Sequence, residues 1–523
     1  MARAEDRERL TRRTFLRGAL LASGVAPALA TSRAVAQPAA RSTLEEWVVA
    51  VSEDITTVDP LIEAGGAIRW MISYHVFEPL VGYEGPTFEP VPRLAESWKY
   101  LNDTTLELKL RRNVKFHNGD AFSAEDVLYT YEAHRSDPKL GSGYVFDPVE
   151  KFEAVDAHTI RILTKTPVAS LLPNMAAVFL IVPRARRAMG PEAFRRHPIG
   201  TGMYRMARDW ARDQPVELQA NDAYWGGAPS PRRLQFKFIR EASTRVAELQ
   251  RGTIHVAENV PLAQLPLVKR GNTDVVVMKG SRIIVHEFNL LREPFTNIRV
   301  RQAVNFAIDR DVVVKNVLQG YGLPHVGVFA PGWLGYSTDL QPYTFNPQRA
   351  RQLLAEAGHP NGFEFEWQIT EGVFQKDREI AEAVAAQLKQ AGITARLRVT
   401  ERATVFSNHA SGNFSVVPVQ WPSTIDPDRY LQWLFVRPKG VSDSKETEPI
   451  RQLMEEGRRI IDPDKRAQKY RELSKLAYER ALLLFTHVQD ELYGIDKRTG
   501  WSPYPVRGLA VHHWYAMHPA LKR

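Results

Sequence analysis

Alternating apolar and polar positions mark the first strands of this chain. Leu106, Leu108 and Leu110 alternate with polar neighbours, as do Leu234, Phe236 and Phe238. A period of two is what a half-buried strand requires. Residues 47–51, 159–163, 274–278 and 283–288 read as further strands. After residue 297 the period lengthens to that of helices. Asn297 is placed to cap a helix with the stripe Val300, Val304 and Ile308. Asp309 is placed to cap a second helix ending at Gly320, and Asn346-Pro347 opens a third, closed by Gly358. Ile380, Val384 and Leu388 stripe the next, which Gly392 ends before ITARLRV returns to a period of two. Asp462-Pro463 begins a long helix carrying Tyr470, Leu473 and Leu476. Strands and helices mix throughout, with no repeat and no low-complexity linker. For 523 residues this predicts an α/β protein of about two to four domains, built from discontinuous segments.

The amino-terminal segment breaks this pattern. It reads TRRTFLRGALLASGVAPALATSRAVAQ, with the pair Arg12-Arg13, an apolar run from Gly18 to Ala30, and a small-residue site at Ala34-Val35-Ala36. The run is too short to span a bilayer comfortably. A basic start, a short apolar middle and a small-residue end are the parts of an export signal, here of twin-arginine type over residues 1–36. That segment carries seven arginines and three acids, so its loss leaves about +5 of the formal charge of +9.

Charge and composition then exclude several classes. No dense Lys/Arg block interleaved with aromatics follows residue 40, so no nucleic-acid partner is expected. The chain has no cysteine, which removes disulfides, thiolate metal sites, a cysteine nucleophile and a lipid-anchored amino-terminal Cys. A processed protein free in the periplasm is expected.

The stretch KFHNGDAFSAEDV, residues 115–127, gathers His117, Asp120, Glu125 and Asp126, and raises the question of a metal site. Asn118-Gly119 is a turn pair, and Ser123 followed by Asp126 has capping-box spacing. Turn and cap account for every polar residue there, and no second histidine is near. Other enzyme signatures are absent. There is no nucleophile elbow and no phosphate loop. His286-Glu287 lacks the second histidine of a zinc-protease motif, and Gly200-Thr201-Gly202 lacks a third glycine. His512, His513 and His518 read as ordinary strand or loop residues, and His255 as structural. No catalytic residue, metal or cofactor is expected.

Several segments together resemble the peptide/nickel/oligopeptide-binding family of periplasmic solute-binding proteins that serve ABC importers. They are TTVDP (56–60), VFEPLVGYEG, PRLAESWKYLNDTTLELKLRRNVKFHNGDAFSAEDVLYTYE, PIGTGMYRM, NDAYW, EPFTNIRVRQAVNFAIDR, LLAEAG and IDPDRY, in the family's order. The resemblance implies a two-lobed type II binding-protein fold with an inserted subdomain and a hinge of two crossing segments. It implies a first lobe from residues 41–80, 200–285 and 496–523, an insertion over 81–199, and a second lobe over 286–495. It places the crossings near 283–289 and 484–495. Ligand contacts made by both lobes exist only when they are closed, so ligand shifts the population towards closure.

The same resemblance implies the ligand contacts. In peptide-binding relatives the loop similar to VQWPSTIDPDRY carries an aspartate three residues after the tryptophan, which holds the peptide amine. Here Trp421 matches the tryptophan, Ser423 and Thr424 follow, and the next acid is Asp426. Either Asp426 shifts into that role, or the ligand presents no such amine. Glu63, Ala64 and Gly65 match a first cleft loop, Glu258 and Asn259 a second, and His487 lies near the second hinge crossing. The expected partners are an ABC permease with its ATPase subunits and a small solute or peptide, and the chain is expected to be a monomer. A secreted hydrolase using the same cleft stays open as the alternative, as does a chaperone or sensor with a wide cleft.

Overall fold

The computed structural model describes residues 42–62, 66–84, 89–136, 143–341, 343–422 and 426–501. Its centre is an eleven-stranded mixed sheet. In chain order the strands are β1 (Glu46–Val51), β2 (Tyr204–Met206), β3 (Val216–Ala220), β4 (Arg233–Phe238), β5 (Val256–Ala257), β6 (Thr273–Phe288), β7 (Gly322–Pro324), β8 (Phe363–Ile369), β9 (Ile393–Val399), β10 (Val416–Pro422) and β11 (Leu483–Asp496). They lie in the order β9-β8-β10-β6-β11-β5-β1-β4-β3-β2, with β7 paired to β11.

Two long strands, β6 and β11, join the halves of this sheet. They pair antiparallel from Thr273↔Asp496 to Glu287↔Leu483. The carboxyl half of β6 also pairs with β10, from Arg282↔Pro422 to Phe288↔Val416, whereas the end of β11 pairs with β5 at Val256↔Ile495. Each strand therefore belongs to both halves, and the fold is two-lobed with two crossings. The segments 274–278 and 283–288, read as separate strands in the sequence, are one strand. Its register shifts between Met278 and Arg282, where Gly280 adopts φ +59°. Asp490 accepts from the Gly280 N–H at 2.8 Å and lies 2.7 Å from Lys279 Nζ, which pins this bulge to β11.

The helices expected from capping residues are present. Asn297 accepts from the Arg299 N–H to start the helix Ile298–Phe306, and Asn346 accepts from the Arg349 N–H ahead of Pro347–Glu356. Asp462 accepts from the Lys465 N–H to start Pro463–Glu479. Asp309 caps as expected, but α-geometry covers only Arg310–Val312 before a π-turn over Val313–Val317. Arg310 is buried there, donating through Nε to Phe485 O at 2.9 Å and through Nη1 to Asn305 O at 3.1 Å. Its guanidinium thus ties this turn to β11 and to the end of the helix Ile298–Phe306.

Residues 80–181 build a separate core around Leu106, Leu108, Phe146, Ile160 and Phe179, over a four-stranded antiparallel sheet. The 115–127 stretch belongs to this part. Ser123 N–H donates to Asp126 Oδ2 at 3.0 Å, the cap expected for the helix Ala124–Ser136. His117 docks on the 200–202 loop. Gly200 N–H donates to its Nδ1 at 3.2 Å, so Nδ1 is the acceptor and Nε2–H donates to Gly202 O at 3.0 Å. Burial lowers its pKa to about 4, and the ring is neutral. Gly200 and Gly202 are required because a Cβ at either would overlap the backbone of Val76 or His75. The G-x-G spacing is therefore a packing contact.

Candidate ligand-binding site

The two halves meet along a seam whose floor is the β6–β11 pair. At the floor, Arg282 donates through Nε to Glu491 Oε1 at 3.1 Å and through Nη2 at 2.5 Å, and through Nη1 to Gln420. From the first half, Glu53 follows β1; from the second, Arg402 begins the helix Arg402–Ser411, and the two form an ion pair across the seam. Beside them Gln375, in the loop before the helix Asp377–Gln390, donates to Asn259 Oδ1 at 2.9 Å and to Val260 O at 2.8 Å. Both polar bridges join segments far apart in sequence and exist only while the halves touch.

Among the described residues, Glu258, Asn259, Trp421 and His487 of those expected to contact ligand lie on or just after strands of the central sheet. Glu258 and Asn259 follow β5 on the first-half wall. Glu258 accepts from the Ser52 N–H and hydroxyl, each at 2.9 Å, and burial raises its pKa. Asn259 holds φ +52°, and its carbonyl accepts from Arg245 Nη2 at 3.1 Å. Trp421 lies one residue before the end of β10 and pairs with Ile283. It is half-buried, with its ring 5.9 Å from that of Tyr430 and 6.3 Å from that of Trp433. His487 lies in β11 and is buried. Neither ring nitrogen completes a hydrogen bond, Gln489 stands near, and desolvation lowers its pKa to about 4. Glu63, Ala64, Gly65, Ser423 and Thr424 lie outside the described residues, as do His512, His513 and His518.

Asp426 is turned inward. It is 4% exposed and takes both Nη groups of Arg466, with Nη2 at 2.9 Å; the same Nη2 also donates to Tyr470 Oη at 3.0 Å. Its Oδ1 also accepts from the Asp428 N–H at 2.9 Å. Asp426 thus anchors the start of the helix Asp428–Phe435 on the helix Pro463–Glu479.

Two adjoining hollows open on the second-half wall. One lies among Val373, Phe374, Arg402, Val405, Phe406, Val419 and Trp433. The other reaches Ile284, His286, Ile380 and His487, sharing Thr370, Phe374 and Pro418 with the first. Apolar walls carrying a few polar groups are the usual make-up of a small-molecule site. Among the described residues no group of three or more His, Cys, Asp or Glu side chains could hold a metal ion. His286 instead accepts from Trp367 Nε1 at 3.2 Å, and Glu287 pairs with His409 at 2.7 Å. His255 Nδ1 accepts from the Val48 N–H at 2.9 Å, the structural role expected for it.

Sequence reasoning missed Glu53, Arg282, Gln375, Arg402 and Glu491. Arg282 and Glu491 carried little signal, because their strands hold other charges, Lys279 and Glu287 in β6 and Asp490 and Asp496 in β11. Glu53, Gln375 and Arg402 sit among ordinary surface residues and carried none.

With this geometry in place, known proteins supply a family. Bacterial extracellular solute-binding proteins, family 5 Middle, match residues 89–442, more than half of the chain. The chain belongs to this family. A glutathione-binding protein of Pectobacterium atrosepticum is 32% identical over 67% of this chain and 67% of its own length. A dipeptide-binding protein of Escherichia coli is 26% identical over 87% of this chain and 91% of its own. Among solved structures, a dipeptide-binding protein from a Pseudoalteromonas species in complex with Met-Leu superposes with a TM-score of 0.79 at 22% identity, covering 90% of this chain and 99% of that one. An agropinic acid complex from an Agrobacterium reaches 0.78 at 24% identity, covering 90% and 98%. These structures share the two-lobed fold. The curated relatives are solute-binding proteins, and nothing among them supports the hydrolase alternative.

Proposed function

We propose that this family 5 protein captures a small solute or peptide in the seam between its lobes and hands it to an ABC permease with its ATPase subunits. Glu53–Arg402 and Asn259–Gln375 carry this reading, since they tie the two halves together at the seam. A solute touching both walls gains its full set of contacts only in the closed form, which is how binding drives closure. We assign the ligand contacts to Trp421, Glu258, Asn259 and His487 together with the Glu53–Arg402 pair. For the described residues we adopt the lobe division of 41–80, 200–285 and 496–523 against 286–495, with 81–199 inserted. The chain acts without chemistry, as a monomer, in the periplasm, after export through its twin-arginine segment.

The test combines scattering, thermal unfolding and ligand recovery over a library of peptides and small metabolites. A cognate solute compacts the protein and, at 100-fold excess over Kd, stabilises it by about 2.7 kcal/mol. It is recovered chemically unchanged. No compaction with any solute, or recovery of a cleaved product, overturns the reading.

A further inference from the structure

The inner hollow of the second-half wall holds a polar pair that the fold does not use up. Its walls are apolar, made by Ile284, Ile369, Phe374, Ile380 and Pro418, and two imidazoles, His286 and His487, stand among them. Both are buried, at 6% and 1% exposure. Trp367 Nε1, which can only donate, directs its proton at His286 Nδ1 over 3.2 Å, so the His286 ring carries its own proton on Nε2. His487 completes a hydrogen bond through neither nitrogen among the described residues, although Gln489 stands near. Buried polar atoms are ordinarily satisfied, and a ring with both nitrogens unsatisfied calls for a reason.

Charge in this hollow is already settled. Asp377 is the one charged residue lining it, and its carboxylate accepts from Thr370 Oγ1 at 3.0 Å, from the Gly372 N–H at 2.9 Å and from the Val373 N–H at 3.1 Å. Desolvation lowers the His286 pKa to about 3 and the His487 pKa to about 4, and the neighbouring His487 ring adds to the lowering at His286. Both rings are neutral at neutral pH. A carboxylate or an ammonium entering here meets no opposite charge, and burying an ion unpaired is costly. The rings offer a donor at His286 Nε2 and, at His487, one donor and one acceptor. A carbonyl or an ether only accepts, and leaves the unprotonated His487 nitrogen unanswered. A hydroxyl both accepts and donates. The clear space beside the rings is about the size of a water molecule, which suits a hydroxyl better than a carboxamide.

Strand register connects the hollow to the seam. His487 lies opposite Ile284 and Gln489 opposite Arg282, so His487, Gln489 and Glu491 follow one another at alternate positions along β11. Glu491 pairs with Arg282 at the seam floor. Thr370, Phe374 and Pro418 are shared with the outer hollow, which reaches Arg402. We infer that the solute carries an uncharged hydroxyl on an apolar arm, and that this hydroxyl enters the inner hollow, accepts from His286 Nε2–H and donates to His487. This deepens the solute-capture reading and rests on it. The hollow then selects hydroxylated arms over ionised ones.

Nitrogen-detected NMR of the purified chain, isotope-labelled in its histidines, tests the assignment. The probes are 2-propanol, acetone, acetate and isopropylammonium, which have nearly the same shape. 2-Propanol shifts the ring signals of His286 and His487 saturably. Acetate and isopropylammonium leave them in place, and acetone, which only accepts, binds about tenfold more weakly. His487→Phe keeps an aromatic ring without the nitrogens. It weakens 2-propanol about tenfold and leaves the urea midpoint unchanged or higher, because an unsatisfied polar ring gives way to an apolar one. No saturable shift with 2-propanol, equal shifts with either ion, or a response that His487→Phe leaves intact overturns the assignment. A lowered midpoint gives His487 a structural role and overturns it too. A solute without a hydroxyl that compacts the protein also overturns it, yet leaves solute capture standing; no compaction with any solute removes capture, which the probe series does not read.

Discussion

Asp428 and Ser170 meet across the molecule, the Ser170 hydroxyl donating to the Asp428 carboxylate at 3.2 Å. Asn174 Nδ2 donates to the same oxygen at 3.3 Å, and Arg458 Nε lies 3.0 Å from the other. Ser170 precedes the helix Leu171–Val178 of the 80–181 part, whereas Asp428 opens the helix Asp428–Phe435 just past the cleft loop. The contact thus fastens the 80–181 part to the helix Asp428–Phe435, a few residues past Trp421 in β10. Asp428→Ala frees that attachment and leaves Arg458 with only its pair to Glu455, for a loss of about 2 kcal/mol in urea unfolding. Because the chain has no cysteine, labels on Glu153→Cys and Glu382→Cys report the separation directly. Asp428→Ala shifts their distance distribution to longer values, and an unchanged distribution shows that the contact does not hold the halves together.

The Asp426–Arg466 pair is a second buried anchor. Removing one partner strands the other charge, so Arg466→Ala costs about 3–5 kcal/mol. The double variant Asp426→Asn/Arg466→Met recovers much of this, since neither charge is then left alone. A double-mutant cycle in urea measures the coupling. Additive losses would place the two side chains apart.

Burial lowers the pKa of His75, His117, His325 and His487 to about 4, and of His286 to about 3. Unfolded, each takes up a proton near pH 6.5; folded, each stays neutral to about pH 4 or below. The unfolded state therefore binds more protons in this window, and the stability from these rings is whole above pH 6.5 and falls as pH drops towards 4. Buried carboxyls such as Glu78 and Glu287, whose pKa is raised by desolvation, act in the opposite sense. Comparison with a variant isolates one ring. His75 packs 5.7 Å from the rings of Tyr204 and Phe236, and His75→Phe keeps that packing. Its pH slope between 6.5 and 4 is shallower than that of the parent by up to about 1.4 kcal/mol per pH unit. Superimposable slopes would mean that His75 titrates normally.

Gly280 offers a test of the bulge. At φ +59° an alanine pays the left-handed penalty, and its Cβ meets only Val488 Cγ1, at 3.8 Å. Gly280→Ala therefore costs about 1 kcal/mol from the backbone alone, read from the urea midpoint. A larger loss would mean that the ladder on either side had shifted.

Much of the scaffold was readable in the sequence because each element declares itself locally. Leu106, Leu108 and Leu110 bury one face of a strand, and Asn297, Asn346 and Asp462 each find their N–H within three residues. The continuity of β6 was hidden because Lys279, Gly280 and Ser281 interrupt the apolar run, although the strand continues past them through a bulge. The site was less readable. Glu258, Asn259 and Trp421 came from resemblance, and the partner that draws Asp426 inward, Arg466, is 40 residues away. Glu53 and Arg402 are 349 residues apart, and no local pattern marks two charges that meet only in the folded chain.

The long paired strands β6 and β11 have a mechanical consequence. A single connecting segment would let the halves twist, swivel and tilt. Two neighbouring strands, laddered together on both sides of the Gly280 bulge, resist torsion and shear and leave bending at that bulge as the soft direction. The gap then opens and shuts along one path, and a membrane partner would meet two shapes instead of a continuum.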